Sequence, residues 1–254
     1  MHLLMTALRS LLRPLRILAG KFVILPLGST ETPIFLKAAS MTSADQVEGD
    51  YLEFGVYGGN SFIRAYQIIK HAYETRYTDV EGIHSPEYRT RVKQLWGKMR
   101  FFAFDSFQGL PPITGIDTQS RDFVEGKFRS GLDRFWQNVR SRSVDTEKVI
   151  AIPGWFADTC TAETIRKLGM KSASIIHIDC DLYESAKVVL KFIEPLLVDG
   201  TVLVFDDWYC FRGNPNLGEQ RAFREWSRSL KGWVFTEYQK EGPIRNSFIA
   251  SREL

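Results

Sequence analysis

Along this chain, short apolar runs alternate with longer segments in which apolar residues recur every three or four positions. The runs are 51-YLEFGVY-57, 101-FFAFDSF-107, 148-KVIAIPG-154, 174-SIIHID-179 and 201-TVLVFDD-207. Each is too short for a helix and rich in β-branched or aromatic residues, so each predicts a strand. Between them, Ser61–Tyr73 carries Phe62, Ala65, Tyr66 and Ile69 on one helical face. Leu132–Val139, Thr161–Leu168 and Ser185–Leu197 also read as helices, the last with Val188, Val189, Phe192 and Ile193. Alternating strand and helix predicts an α/β fold, a Rossmann-like, mostly parallel central sheet with helices on both faces. The last part differs. After a helix at Gln220–Leu230, the segments 232-GWVFTEYQ-239 and 246-NSFIAS-251 are joined by a short link, which predicts an antiparallel C-terminal pair at one sheet edge.

Two stretches interrupt the alternation. Glu74–Lys98 separates the first two strands more widely than a simple crossover needs. Pro111–Arg129 is a polar, glycine-bearing loop after the second strand, and long loops at the carboxyl ends of parallel strands often cover a site. The 254 residues suit one large domain with a small appendage, with residues 1–40 as the appendage and 41–254 as the body. Residues 1–28 contain no acid; leucines fall at helical spacing, with Arg9, Arg13 and Arg16 among them. Arginines inside the apolar pattern argue against a signal peptide. A helix over residues 1–20 is expected to pack on the body or a second subunit, making a homo-oligomer, or to lie on an anionic membrane surface.

The net charge of +3 is too weak to argue for nucleic acid. Three scattered cysteines have no metal-ligand spacing and suit free thiols in a reducing compartment. No apolar run is long enough to span a bilayer. A cytoplasmic enzyme, peripheral to the membrane if the first helix binds there, is the expectation.

Chemistry gathers at the strand ends. In 53-EFGVYGGNS-61, glycines lie between a strand and a helix, where backbone can approach a ligand and helix N–H groups are free. The spacing is not that of a dinucleotide fingerprint, and a plain tight turn explains the glycines equally. In 104-FDSFQGLPP-112, Asp105 stands where nucleotide-binding folds hold a ribose diol, or it caps the next turn. In 152-IPGWFADT-159, Gly154, Trp155 and Phe156 could wall a flat adenine or belong to the core. Asp179 and Asp181 end the fourth strand, and Asp206 and Asp207 end the fifth. If these strands are neighbours, four carboxylates meet, and a hard divalent cation such as Mg²⁺ relieves their repulsion. The alternative is surface acids balanced by lysine or arginine.

The motifs EFGVYGGNS, FDSFQGLP, PGWFADT, IDCDLYES and FDDW, in this order from about Tyr51 to Trp226, resemble the macrocin O-methyltransferase family of class I S-adenosylmethionine-dependent enzymes. The resemblance implies a class I methyltransferase fold and magnesium-assisted transfer of a methyl group to a hydroxyl of a small molecule, often a sugar of a glycosylated natural product. It implies a metal held by Asp179, Asp206 and Asp207. The cofactor's amino-acid end would lie on Glu53, Gly55, Tyr57, Gly59 and Ser61. Asp105 would hold its ribose, and Ser106, Gly154, Trp155 and Asp179 would also bind the cofactor. Cys180 replaces the glycine usual between the paired aspartates, which narrows the space there. Asp181 would point the same way as Asp179 if the chain stays extended, and would then take the acceptor's proton as general base. Tyr183 is expected to shape the pocket. Two rival readings are a metal-dependent glycosyltransferase using the Asp179–Asp181 pair and a non-catalytic binding protein that kept the fold.

Overall fold

The computed structural model describes residues 33–120 and 122–253. The helix expected at residues 1–20 lies outside them. Seven strands form one sheet in the order β3-β2-β1-β4-β5-β7-β6. They are β1 (Asp50–Phe54), β2 (Phe101–Asp105), β3 (Val149–Pro153), β4 (Ala173–Ile178), β5 (Leu197–Phe205), β6 (Trp233–Glu241) and β7 (Arg245–Arg252). The first five run parallel to one another. β7 runs antiparallel to both β5 and β6, so the antiparallel strand lies inside the edge and β6 forms the edge itself.

The helices are α1 (Ile34–Ala44), α2 (Asn60–Thr78), α3 (Pro86–Lys98), α4 (Leu132–Ser141), α5 (Phe156–Thr159), α6 (Ala162–Leu168), α7 (Tyr183–Ile193) and α8 (Gly218–Ser229). The residue-40 boundary drawn from the sequence falls inside α1. The charged stretch after residue 74 is a finished element: Ser85 caps α3 by accepting the Tyr88 N–H at 3.3 Å, and Pro86 opens it. Val92, Leu95 and Trp96 are its buried residues, and Trp96 packs on Tyr66, Tyr73 and Phe101.

Period-two alternation sends residues of each strand to opposite faces of the sheet. On one face Leu52, Phe54, Phe102, Phe104, Ile176 and Ile178 meet α7 and α8 in a dry cluster. Phe54 stacks on Phe104 at 4.7 Å, and Phe192 of α7 meets Phe104 edge-on at 5.4 Å. Each such ring contributes about 1.5–3 kcal/mol through burial. On the other face Tyr51 packs with Phe62 of α2 and Phe35 of α1. That face also buries two ionisable groups, Glu53 and His177, side by side in register on β1 and β4.

The loop Pro111–Arg129 is tied down through Asp117, which is 1% exposed. Its carboxylate accepts the N–H groups of Tyr183 at 2.8 Å and Glu184 at 3.1 Å, so it caps α7 from 66 residues away. Asp117→Ala is expected to cost about 1–2 kcal/mol, as a lost helix cap does. Urea denaturation measures it, and a loss under about 0.3 kcal/mol would show the cap to be idle.

Candidate functional site

The carboxyl ends of β1, β2, β3, β4 and β5 open on one cavity of about 780 Å³. Gly55, Tyr57 and Ser61 line it from the first strand end, and Asp105 and Ser106 from the second. Trp155 and Phe156 enter from the third, and Asp179, Cys180, Asp181, Asp206 and Asp207 from the fourth and fifth. Of the residues singled out in the sequence, Glu53, Gly59, Gly154 and Tyr183 do not line it.

The glycine turn has two causes. Gly55 sits at φ +91°, and a Cβ there would lie 1.9 Å from the Asp179 carbonyl oxygen. The close approach that demands glycine is therefore to the neighbouring strand end. Asn60 and Ser61 then open α2 toward the cavity. Glu53, fully buried, accepts the Ser61 and Tyr51 hydroxyls, each at 2.5 Å. It fixes the Ser61 side chain from below.

Asp105 accepts three backbone N–H groups, from Val56 and Tyr57 at 2.8 Å and from Phe107 at 2.6 Å. It joins the turns after β1 and β2, and burial outweighs these donors to raise its pKa. The Ser106 hydroxyl donates to the Gly109 carbonyl at 2.8 Å. Phe156 packs edge-on against Phe54 at 6.0 Å while lining the cavity, so it serves wall and core together.

The turn after β4 departs from the sequence expectation. β4 ends at Ile178, and Asp181 has φ +61°. The Leu182 N–H donates to the Cys180 carbonyl at 2.6 Å, closing a three-residue turn with Asp181 at its tip. Strand alternation thus does not aim Asp181; a strained turn does, of a kind that persists where surroundings enforce it. The expectation for Tyr183 is also corrected. Its hydroxyl donates to Glu225 at 2.7 Å, with Arg221 over the ring, so it serves the α7–α8 contact.

His177, missed in the sequence, organises the carboxylates. Its Nδ1 lies 3.6 Å from Glu53 Oε2 and its Nε2 lies 3.3 Å from Asp206 Oδ1. Burial opposes its charge, but Glu53 and Asp206 outweigh burial and push its pKa up to about 10. Asp206 is also paired with Arg245 Nε, and Arg245 reaches Glu241 at 3.3 Å. Burial would raise Asp206, but His177 and Arg245 hold it down to about 2. Among the described residues, both of its side-chain contacts fall on Oδ1, which leaves Oδ2 for a ligand.

Among the described residues, Asp179, Asp181 and Asp207 form no ion pair of this kind. Burial, then the neighbouring Asp206, pushes Asp179 well above the usual carboxylate range. Burial and the adjacent Asp207 push Asp181 up to about 9. Asp207 is raised by burial and by Asp206, and its buried Oδ2 has no hydrogen-bond partner among the described residues. Surplus negative charge, hard oxygen donors and an orphaned carboxylate oxygen together fit a divalent cation. Among the described residues, donor atoms of His177, Asp179 and Asp206 lie within 4.8 Å of one another. Asp207 stands outside that trio, beside Asp181.

The chain's architecture and sequence match known proteins. The O-methyltransferase NovP superposes with a TM-score of 0.61 at 18% identity, over 86% of this chain and 78% of that one. An O-methyltransferase from Bacillus cereus, solved with S-adenosylhomocysteine, gives 0.52 at 13% identity, over 96% and 90%. In sequence, the 8-demethyl-8-(2,3-dimethoxy-alpha-L-rhamnosyl)-tetracenomycin-C 4'-O-methyltransferase of Streptomyces olivaceus is 26% identical over 171 residues, 65% of this chain and 55% of that protein. The chain spans about half the length of the curated relatives it matches. Residues 92–228, which carry Asp105 and all four clustered aspartates, match the macrocin-O-methyltransferase (TylF) family, and the chain belongs to that family.

Proposed function

We propose that this protein transfers a methyl group from S-adenosylmethionine to a hydroxyl of a small molecule, a sugar or glycosylated natural product, with Mg²⁺ at the acid cluster. One observation carries the reading: the turn at Gly55–Ser61 and the four clustered aspartates face the same cavity. The family supports the reaction class, and the rhamnosyl group in the name of the Streptomyces relative supports a sugar acceptor.

S-Adenosylmethionine supplies a methyl group on a sulfonium, which leaves as a neutral thioether. Ser61, fixed by Glu53, would bind the donor's amino-acid end with the backbone of Gly55 and Tyr57. Trp155 and Phe156 offer flat apolar faces to the adenine. The oxygens of Asp105 already serve the two turns, so its part in ribose binding adds to a structural one. Mg²⁺, held by Asp179, Asp206 and Asp207, would lower the pKa of a hydroxyl bound to it. Asp181, ionised once a cation's charge offsets the repulsion from its neighbours, would take the acceptor hydroxyl's proton as that oxygen forms its bond to the methyl carbon and the carbon–sulfur bond breaks. Cavity walls at Leu110, Pro111, Pro112 and Phe128 would limit water around the acceptor.

Calorimetry with S-adenosylhomocysteine and with a UDP-sugar separates this reading from a glycosyltransferase, and methyl transfer from labelled donor to rhamnosylated acceptors tests it. Binding of the UDP-sugar alone would overturn it. Ser61→Ala is expected to weaken S-adenosylhomocysteine binding by about 0.5–1.5 kcal/mol, the net value of one hydrogen bond. Unchanged affinity would remove Ser61 from the donor site.

A further inference from the structure

Glu219, the second residue of α8, is 1% exposed and is not among the residues lining the cavity. Its carboxylate reaches two separate turns. Oε1 accepts the Cys180 N–H at 3.3 Å, and Oε2 accepts the Asp207 N–H at 3.1 Å. Cys180 lies between Asp179 and Asp181, and Asp207 adjoins Asp206. One side chain thus ties the acid pair after β4 to the acid pair after β5. Gly218 opens the helix at φ +55°, where a Cβ would lie 2.8 Å from the Phe211 ring. A buried acid among acids is costly. The two N–H groups bond different oxygens of Glu219, and a carboxamide offers an acceptor at only one of those two positions.

We propose that Glu219 is a positioning residue that fixes the spacing of the two acid-bearing turns and so sets how tightly the cluster grips a divalent cation. The inference rests on the reading of the cluster as a metal site. Glu219→Gln is the informative variant. It keeps the volume, but its NH₂ must face one of the two backbone N–H groups.

Mn²⁺ binding to the full chain, followed by electron paramagnetic resonance, is the primary measurement, with melting temperature and S-adenosylhomocysteine affinity beside it. Glu219→Gln is expected to bind Mn²⁺ about tenfold more weakly or worse, the loss of one of the two backbone hydrogen bonds that hold the acid-bearing turns. Its S-adenosylhomocysteine affinity should stay near that of the unaltered chain, and its melting temperature should fall by only the few degrees that one lost hydrogen bond accounts for. Equal Mn²⁺ affinity in the two chains overturns this inference alone. Absence of Mn²⁺ binding in the unaltered chain overturns the metal reading and this inference with it. A parallel loss of stability and S-adenosylhomocysteine binding assigns Glu219 a merely structural role and also overturns it. Should the variant fail to fold, amide exchange in the unaltered chain decides. The Cys180 and Asp207 amides should exchange more slowly than those of the surrounding turns, and equal rates would overturn the clamp.

Discussion

Asp181→Asn is expected to slow methyl transfer by roughly 10²–10⁴-fold, the usual share of a general base, while the Mg²⁺ requirement stays close to that of the unaltered chain. The substitution is structurally mild. Asp181 sits at φ +61°, and asparagine tolerates that region as well as aspartate does. What changes is the ability to accept a proton. Asp206→Asn should behave differently, shifting activity to much higher Mg²⁺, because a ligand oxygen is weakened and the pairing with His177 and Arg245 is disturbed. Titrating activity with Mg²⁺ in both variants separates the roles. If Asp181→Asn raises the Mg²⁺ requirement and Asp179→Asn does not, base and ligand are exchanged. If EDTA leaves the unaltered chain's rate intact, the cluster has no catalytic metal.

Glu53→Ala should destabilise the fold by about 3–5 kcal/mol, as breaking a buried charge pair does. The alanine removes the acceptor for two hydroxyls and leaves His177 with Asp206 as its remaining neighbouring carboxylate at ion-pair distance. Donor binding should weaken too, since Ser61 loses the group that orients it. Glu53→Gln keeps the volume and an acceptor but not the charge, so its loss should be smaller. Urea denaturation of both variants checks the order. A Glu53→Ala loss below about 1 kcal/mol would mean that the polar network contributes little net stability.

The strands, five principal helices and the strand-end aspartates were legible because period and composition point the same way in those segments. What escaped has physical reasons. Helix α1 buries Ala38, Ala39, Thr42 and Ser43, small residues that draw no apolar stripe. The start of α7 was read two residues late because its cap, Asp117, comes from a distant loop. His177 belongs to no motif within its apolar run; its register opposite Glu53 is a property of the sheet. Glu219 and Arg245 lie in segments with no motif, and they matter through pairings that only the tertiary structure creates. The aim of Asp181 depended on a turn whose central residue is not glycine, and local sequence favours no such conformation.

The seam between β1 and β4 has a kinetic consequence. Tyr51 pairs with Ile175 and Phe54 with Ile178, so the turn at Gly55 and the acid cluster become neighbours only when this long-range pairing forms. Pairings so distant in sequence carry a large loop-closure entropy and form slowly. During refolding, competence to bind S-adenosylhomocysteine should therefore lag behind the gain of helical signal and coincide with closure of the central sheet. The ligand would then report in real time on the assembly of the two halves.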